Sequence, residues 1–301
     1  MQERLKFIDN LKAFAIVLVF IGHSIQYLGC EWGGQYNCLA FNLIYSFHMP
    51  LFMALSGFFF SSSLNMPFSE MVKKKSLYIL LPAIIWSIPK MVFTRNILGV
   101  LIYNLWFLKS VWICYLIFYV ILRLFDKKIA YTIIMLISLF APLEVLPGYL
   151  NWMLPCFMLG IILKDHWSYI NQNKHLLYIC LVIFIMSFYL YWYSDLALPQ
   201  IIHYIIKIIM NFTGVVFFII LFSWFNRSNM IISHIGVNTL VLYALNILFC
   251  DVITHLKLPD YSDYKLMVIM ISVVAQLATY YVIINKMEKN KYTRLFLLGK
   301  K

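Results

Sequence analysis

The amino-acid sequence predicts an all-α membrane protein, a polytopic bundle of about ten transmembrane helices with both termini in the cytoplasm. Its 301 residues are 63% hydrophobic and only 12% charged, and the mean hydropathy is +0.84. A soluble chain of this length needs many more charged residues to cover its surface. Aromatic residues make up 18% of the chain, which is typical of membrane proteins with aromatic belts at both interfaces.

Ten apolar segments have about the length that a helix needs to cross a bilayer. The fifth and sixth are short and are joined through Pro147-Gly148, and the stretches between segments are too short for a soluble domain. We therefore expect one membrane-embedded domain over residues 1–301. The predicted helices span residues 11–29, 42–63, 76–93, 105–122, 129–145, 149–163, 175–193, 201–223, 233–251 and 265–284.

The distribution of lysine and arginine predicts the orientation of these helices. If the N-terminus is cytoplasmic, 18 of the 24 basic residues fall on the cytoplasmic side, and only Lys90, Arg95 and Lys257 fall in outer loops. An even number of helices then returns the C-terminal tail to the cytoplasm. We expect an integral, multi-pass protein of the bacterial cytoplasmic membrane.

The sequence disfavours several classes of partner. The net charge of +12 does not indicate nucleic-acid binding, because most basic residues lie between apolar segments, where orientation signals belong. The six cysteines show no metal-ligand spacing, so we expect no metal. Cys30 and Cys38 share one loop, in which a disulfide and a reduced pair are equally open. The first segment is not a cleavable signal peptide, because Asp9 and Lys12 lie at its start.

The first helix has a charged start and a histidine deep in its apolar part. Lys12 and His23 are eleven positions apart, which brings them to within about 20° of each other around the helix and about 16 Å apart along it. Asp9 and Gln26 fall near the same face. An ionisable residue in the middle of a membrane helix is costly and indicates a functional site, with simple packing against a neighbouring helix as the alternative.

The second helix carries another histidine at the same expected depth. His23 and His48 each lie about six residues from the outer end of their segments, roughly 9 Å below the outer membrane boundary. Two imidazoles at one depth on consecutive helices are more typical of a shared site than of unrelated packing. Pro50 frees a backbone carbonyl and is expected to kink the helix beside His48. We assign Ser56-Gly57 to close helix packing.

More polar residues occur at a similar depth in later segments. Trp106 and Lys109 lie near the outer start of the fourth helix, and Asn246 lies in the outer half of the ninth. The eighth helix has a polar stripe whose spacing of four residues places it on one face, which must point to the bundle or to water. A structural, hydrogen-bonded stripe is the alternative. Its members are His203, Lys207 and Asn211.

Basic residues cluster on the inner side of the membrane. Lys73, Lys74 and Lys75 follow the second helix, and Arg123 ends the fourth. Attraction to anionic lipid and the positive-inside rule explain them without any chemistry. Binding of a phosphorylated cytosolic ligand is the more specific alternative.

Several motifs resemble those of the integral-membrane acyltransferase family 3, and most closely its fucose-4-O-acetylase-like branch. The similarity covers about residues 4 to 250, in order, and its first two motifs are specific when taken together. The motifs are Phe7-Ile8-Asp9-Asn10-Leu11-Lys12 with Gly22-His23-Ser24, Phe47-His48-Met49-Pro50-Leu51-Phe52, Ser56-Gly57-Phe58, Leu105-Trp106-Phe107-Leu108, Met158-Leu159-Gly160 and Ile235-Gly236-Val237-Asn238-Thr239-Leu240-Val241-Leu242-Tyr243.

The resemblance implies an enzyme that transfers an acyl group, usually acetyl, from cytosolic acyl-CoA to a hydroxyl of a surface glycan or its lipid-linked precursor. Two positions depart from the pattern. Most members carry Arg where this chain has Lys12, so a bidentate phosphate contact is lost. Many members carry His where Asn246 stands, so no catalytic role is transferred to Asn246, which we keep as an acceptor-binding candidate.

On this basis the sequence predicts a membrane O-acetyltransferase that uses acetyl-CoA as co-substrate. Lys12 would neutralise donor phosphate or hold Asp9, and His23 would take the proton from the acceptor hydroxyl. His48 would orient His23 or stabilise the oxyanion, and a transient acyl-histidine is equally open. The donor candidates are Asp9, Lys12, Lys73, Lys74, Lys75 and Arg123; the acceptor candidates are Trp106, Lys109, His203, Lys207 and Asn246.

Two functions of other classes compete with this prediction. A transporter or flippase for a glycan precursor would also need polar residues at mid-membrane and basic inner loops, although the sequence shows no internal repeat of the kind that many transporters have. A structural subunit of a glycan-assembly complex is the third alternative, with both histidines in packing roles. Consumption of acetyl-CoA separates the first prediction from the other two.

Overall fold

A computed structural model of the chain describes residues 6–29, 34–140, 150–225, 227, 229–256 and 264–300. The described residues are almost entirely helical. Short π-helical turns at Ile25–Gly29 and Ser76–Leu80 and a 3₁₀ turn at Gly34–Asn37 accompany the α-helices. The α-helices are α1 Lys6–Ser24, α2 Leu39–Tyr45, α3 His48–Phe58, α4 Ser61–Leu64, α5 Phe68–Lys75, α6 Leu81–Thr94, α7 Ile97–Tyr103, α8 Trp106–Leu124, α9 Lys127–Phe140, α10 Leu150–Asp165, α11 Trp167–Ile170, α12 Lys174–Trp192, α13 Gln200–Ser223, α14 Met230–Val237, α15 Thr239–Leu256, α16 Lys265–Glu288 and α17 Lys291–Phe296.

Within the described residues, each of the ten predicted segments is mostly helical, which confirms the all-helical, polytopic class. Among the described residues, seven helical stretches are long and apolar enough to cross a membrane, and eight if the bent pair α14–α15 counts as one span. Helices α9 and α10 match the fifth and sixth segments but have only 14 and 16 described residues. Pro147-Gly148 and Cys30 lie outside the described residues. The cytoplasmic placement of both termini stays a prediction.

Large apolar side chains are exposed along the candidate spans, as expected of a surface that faces lipid. Met186 on α12 is 60% exposed, and Leu266 and Val274 on α16 are 75% and 62% exposed. A soluble protein with such continuous apolar surface would aggregate, whereas a bilayer solvates it. The helix backbones satisfy their own hydrogen bonds, which is the requirement for a segment in hydrocarbon.

The helices form two compact units that interleave along the chain. The first unit comprises residues 1–45, 77–105 and 226–301. In this unit α1 packs against α14, α15 and α16. The contact with α14 is close at Gly236, where an added β-carbon would lie only 2.1 Å from the carbonyl oxygen of Asp9. Any side chain at residue 236 would therefore push α14 away from the charged start of α1.

The second unit comprises residues 46–76 and 106–225. Its α3 and α10 cross at two glycines: a β-carbon at Gly57 would lie 2.0 Å from the Phe157 carbonyl oxygen, and one at Gly160 would lie 1.9 Å from that of Ala54. This contact confirms the packing role expected of Ser56-Gly57, since Ser56 Oγ only donates to the Phe52 carbonyl 2.9 Å away on its own helix.

Two predicted helices are broken at identifiable residues. The second segment breaks at Ser46-Phe47, and α3 then starts at His48. Pro50 causes this break because it lacks the N–H that would bond to the carbonyl of Ser46. The ninth segment was expected to be one helix, but α14 and α15 meet at an angle of 74°. At that bend the Asn238 side-chain Nδ2 donates to the His234 carbonyl at 2.8 Å and closes the end of α14.

Candidate active site

Helix α1 places Lys12 and His23 on one uninterrupted α-helix, as predicted. Asp9 is buried, whereas Lys12 and His23 are half-buried. The α-helix gives way to a π-helical turn directly after Ser24. Gln26 lies in this turn, and its Oε1 accepts a hydrogen bond from the Tyr45 hydroxyl at 3.3 Å. π-Helical turns are rare in proteins, and those that occur are often found at functional sites.

The imidazole of His23 ends a chain of hydrogen-bonded side chains in the first unit. Its Nδ1 bonds to Oδ1 of Asn246 on α15. Asn246 Nδ2 donates to Gln276 Oε1 on α16 at 2.7 Å, and Gln276 Nε2 donates to Ser272 Oγ at 3.0 Å. The hydroxyls of Ser272 and Ser24 lie 3.4 Å apart. The chain thus starts on α1, crosses two other helices and returns to α1.

Burial separates the members of this hydrogen-bonded chain. Asn246 is 0% exposed and Gln276 is 2% exposed, whereas His23 is half-buried. The His23 ring also contacts the Tyr27 ring edge to face, with the two ring centroids 6.2 Å apart. Both amides, of Asn246 and of Gln276, are therefore held inside the protein, and of the two residues that end the chain His23 is half-buried and Ser24 is buried. Acceptor binding by Asn246 stays a prediction, although both atoms of its amide are engaged here.

Gln276 and Ser272 were missed in the sequence, although a signal existed. They are spaced by four residues in the middle of a 24-residue apolar helix, the same pattern that drew attention to His203 and Lys207. An amide in a membrane span needs a partner as an ionisable group does. The similarity by motif ended near residue 250, before α16, so Gln276 had no motif around it.

His48 is the first residue of α3 in the second unit and is 2% exposed. Ser46 is fully buried nearby in the chain, and its Oγ accepts from Trp192 Nε1 at 3.0 Å. The broken helix therefore holds His48 at a helix start inside the protein. His23 and His48 belong to different units, and their shared depth stays a prediction.

The predicted basic cluster divides into exposed and engaged residues. Lys73 and Lys74 are exposed. Lys75 is half-buried, with its Nζ 3.7 Å from the centroid of the Tyr115 ring. Arg123 donates from Nη2 to the Leu64 carbonyl at 2.8 Å, at the end of α4. The contacts of Lys75 and Arg123 fit a structural role in the second unit, so Lys73 and Lys74 are the better candidates for an anionic ligand.

Trp106 and Lys109 begin α8, the helix that follows an unusual backbone conformation. Leu105 has a φ of 49°, in the left-handed region, and is 2% exposed. A leucine with positive φ costs of order 1–3 kcal/mol and persists only where its surroundings enforce it. Trp106 and Lys109 are half-buried. Their predicted contact with the acceptor stays a prediction.

The polar stripe on α13 lies against aromatic rings of α10 and α12 in the second unit. Lys207 Nζ is 4.2 Å from the centroid of the Trp152 ring and 5.7 Å from that of Tyr191. The ring of His203 stacks on Tyr191 with the centroids 4.3 Å apart. Asn211 is 1% exposed, and neither its Nδ2 nor its Oδ1 has a hydrogen-bond partner. Trp152 and Tyr191 are the additions that the sequence did not indicate.

Comparison with known proteins identifies the chain. A family model described as an acyltransferase domain matches residues 5–284. The chain belongs to acyltransferase family 3. The match confirms the enzyme class that the motifs indicated, and it extends past them to include α16 with Gln276.

Curated relatives of this family member match over a shorter region. The nodulation protein NolL of Mesorhizobium japonicum is 42% identical over 84 residues, which is 26% of this chain and 21% of that protein. NolL of Sinorhizobium fredii is 37% identical over 84 residues, 26% of this chain and 22% of that protein. The chain thus spans about a fifth of the length of the curated relatives it matches. No solved structure is significantly similar to it.

The part of the chain that the structure describes contains no group of three or more His, Cys, Asp and Glu side chains that could hold a metal ion.

Proposed function

We propose that this family member is a multi-pass membrane O-acyltransferase of the bacterial cytoplasmic membrane. It moves an acetyl group from cytosolic acetyl-CoA to a hydroxyl of a surface glycan or of its lipid-linked precursor. Family membership supports acyl transfer, and the length of the candidate spans supports the membrane location. Acetyl as the acyl group and the carbohydrate acceptor follow from the family resemblance of the motifs.

The observation that carries this proposal is the hydrogen-bonded chain that ends at His23. A half-buried imidazole whose orientation is held by two fully buried amides has the arrangement expected of a general base. A packing histidine needs one partner, whereas His23 ends a chain of four further side chains on three helices. Holding the imidazole in one orientation removes a reorganisation cost from the transition state.

Residues of this chain account for each proton in the proposed reaction. The imidazole of His23 accepts the proton of the acceptor hydroxyl as its oxygen bonds to the thioester carbonyl carbon. The tetrahedral oxyanion then collapses, the carbon–sulfur bond breaks, and the imidazolium returns its proton to the leaving thiolate. The products are an O-acetyl ester and free coenzyme A, so atoms and charge balance.

In the first unit, the donor would bind along the start of α1. Lys12 lies about 16 Å along the helix from His23, a separation that an extended pantetheine arm can cover. Asp9 is buried and packed against Gly236, so it anchors the end of α1. In the second unit, Lys73 and Lys74 are exposed and are separate candidates for a phosphate contact.

The acceptor would bind at the aromatic and cationic cluster on α13. Trp152, Tyr191 and His203 offer flat faces of the kind against which sugar rings pack, and Lys207 supplies a charge beside them. Asn211 retains two unused hydrogen-bonding atoms in a buried position. Hydroxyl groups of a sugar could satisfy such atoms, whereas an acyl chain could not.

The test is release of free coenzyme A from acetyl-CoA by the purified protein in detergent, measured by chromatography with and without cell-envelope glycolipid. We expect release that depends on the glycolipid and is lost in His23→Ala. Mass spectrometry of the recovered glycolipid should show the gain of one acetyl group. Uptake or flipping of glycolipid in vesicles without any release of coenzyme A would instead establish the transporter alternative.

A further inference from the structure

We infer that Asn246 and Gln276 are positioning residues that select the nitrogen with which His23 acts. This inference rests on the proposed role of His23 as the base, and it adds two residues to which the sequence gave no part in the chemistry. They act through hydrogen bonds and need not touch either substrate. The argument depends on the direction of each hydrogen bond in the chain.

A primary amide has one side that only accepts and one side that only donates. Gln276 turns its oxygen to Asn246, so Asn246 must present its nitrogen there. Asn246 therefore turns its oxygen to Nδ1 of His23. An oxygen cannot donate, so the proton of this bond must be on Nδ1. In the neutral imidazole the other nitrogen, Nε2, then keeps a free lone pair.

Nε2 is consequently the basic atom of His23 and the one that would receive the proton of the acceptor hydroxyl. The opposite tautomer would place a hydrogen on Nε2 and leave the base unable to accept. A third group that orients the base recurs in enzymes that use histidine for acyl transfer. In this chain the orienting group is an amide, and a second amide fixes its orientation in turn.

The burial of both amides makes the selection effective. Asn246 is 0% and Gln276 2% exposed, so water cannot easily replace either bond. Turning the Asn246 amide over would face its nitrogen to the Nδ1–H of His23 and its oxygen to the Gln276 oxygen. Both contacts would then be unsatisfied, at a cost of about 1–3 kcal/mol for each buried group. Turning Asn246 over alone is therefore costly, and the proton arrangement reverses only if both amides turn together and the Ser272 hydroxyl then donates to Gln276.

Histidine ¹⁵N NMR of the full-length protein in nanodiscs tests the inference directly. The seven histidines are labelled with ¹⁵N, and His23→Gln identifies the signals of His23 by their disappearance. Above the pH at which the imidazole becomes neutral, we expect a protonated Nδ1 and an unprotonated Nε2. A native His23 with its proton on Nε2 would overturn the inference.

Two pairs of variants separate a positioning role from a structural one. Asn246→Leu and Gln276→Met remove hydrogen bonds at nearly constant volume, and we expect a mixture of tautomers at His23. Asn246→Asp and Gln276→Glu keep an oxygen towards the neighbouring donor, and we expect the native tautomer. An unchanged tautomer in both Asn246→Leu and Gln276→Met would show that the amides do not select it.

We expect kcat to fall in the variants that lose the native tautomer and to be largely kept in those that retain it. Asn246→Leu should lower kcat about 100-fold, since general-base assistance is worth about 10²–10⁴ in rate, and should leave the KM for acetyl-CoA unchanged. Gln276→Met should lower kcat about tenfold, and Asn246→Asp should recover most of the activity. Full kcat in Asn246→Leu would contradict the positioning role. The NMR result stands even if the native protein transfers no acetyl group, so failure of the proposed function and failure of this inference are distinguishable.

Discussion

The polar cluster that ends at His23 and the polar cluster around Lys207 differ in whether their buried amides are hydrogen-bonded. Around His23, the amides of Asn246 and Gln276 are buried and their side-chain atoms bond to neighbours. Around Lys207, the cation faces aromatic rings, and the amide of Asn211 is buried with neither atom bonded. The first cluster includes the candidate spans α1 and α16, and the second includes the candidate spans α12 and α13.

This difference indicates what each cluster does. Buried groups whose hydrogen bonds are all satisfied are held rigidly, so the cluster at His23 is suited to hold a reacting group in one geometry. An unpaired buried amide costs about 1–3 kcal/mol in the protein alone, a cost that a hydrogen-bonding ligand or water would remove. The cluster at Lys207 is therefore suited to binding. We therefore propose chemistry for the first cluster and recognition for the second.

The largest expected effect comes from removing the reacting group itself. His23→Ala should lower the rate of transfer by at least 100-fold, because general-base assistance is worth about 10²–10⁴ in rate. Binding of acetyl-CoA, measured by calorimetry, should be unchanged. His175→Ala, at the exposed start of α12, is the matched control and should retain full activity. Near-normal turnover in His23→Ala would reduce the histidine to a packing residue.

Removing the charge of the binding cluster should affect affinity instead of rate. Lys207→Met keeps the length of the side chain and should raise the KM for the acceptor about tenfold with little change in kcat, since a charged contact is worth about 1.5–3 kcal/mol. Lys174→Met, at an exposed position on α12, is the control. If Lys207→Met lowers kcat and leaves the acceptor KM unchanged, the division between chemistry and recognition is wrong.

The charged start of α1 should act on the donor. Lys12→Ala should raise the KM for acetyl-CoA severalfold, because it removes a half-buried ammonium that would attract the donor phosphate. Lys12→Arg should retain most of the affinity, since the charge survives. Steady-state kinetics at fixed acceptor concentration measure both. Equal effects of the two substitutions would point to packing around Asp9 and not to charge.

The smallest effect is expected at the exposed lysines. Neutralising Lys73 and Lys74 together with glutamine should raise the KM for acetyl-CoA about two- to threefold, and added salt should diminish the difference, because exposed charges are screened. Lys128 and Lys174, changed to glutamine together, remove the same charge from other exposed positions. An unchanged donor titration would return Lys73 and Lys74 to lipid anchoring.

Local patterns in the sequence were sufficient for the helices and for the half of the site that lies on one helix. Length and hydropathy predicted ten segments, of which seven or eight are long and apolar enough to span a membrane in the described residues, and an ionisable residue in an apolar run drew attention to His23. The partner of His23 could not be found in this way, because Asn246 lies 223 residues further along the chain. Its role depends on which helices pack together, which a periodicity within one segment does not contain.

The two helix breaks and the glycine contacts show the same limit. Pro50 predicted a disturbed helix beside His48, since its effect on the backbone is local. The 74° bend at Asn238 was missed, because an asparagine in an apolar run does not by itself end a helix. The sequence motifs contain Gly57, Gly160 and Gly236. That these glycines allow α3 to pack closely on α10, and α1 on α14, became apparent only in the structure.

The long separation between His23 and Asn246 also orders events during synthesis. A ribosome makes α1 before α15 and must add 223 more residues after His23 before Asn246 follows, which takes roughly 10–45 s at 5–20 residues per second. The second unit is encoded between the two, so α3, α10, α12 and α13 are all present before α15 begins. Under the proposed roles, the aromatic cluster around Lys207 is therefore synthesised while His23 still lacks Asn246, and the hydrogen-bonded chain of His23 can close only after α15 and α16 have followed.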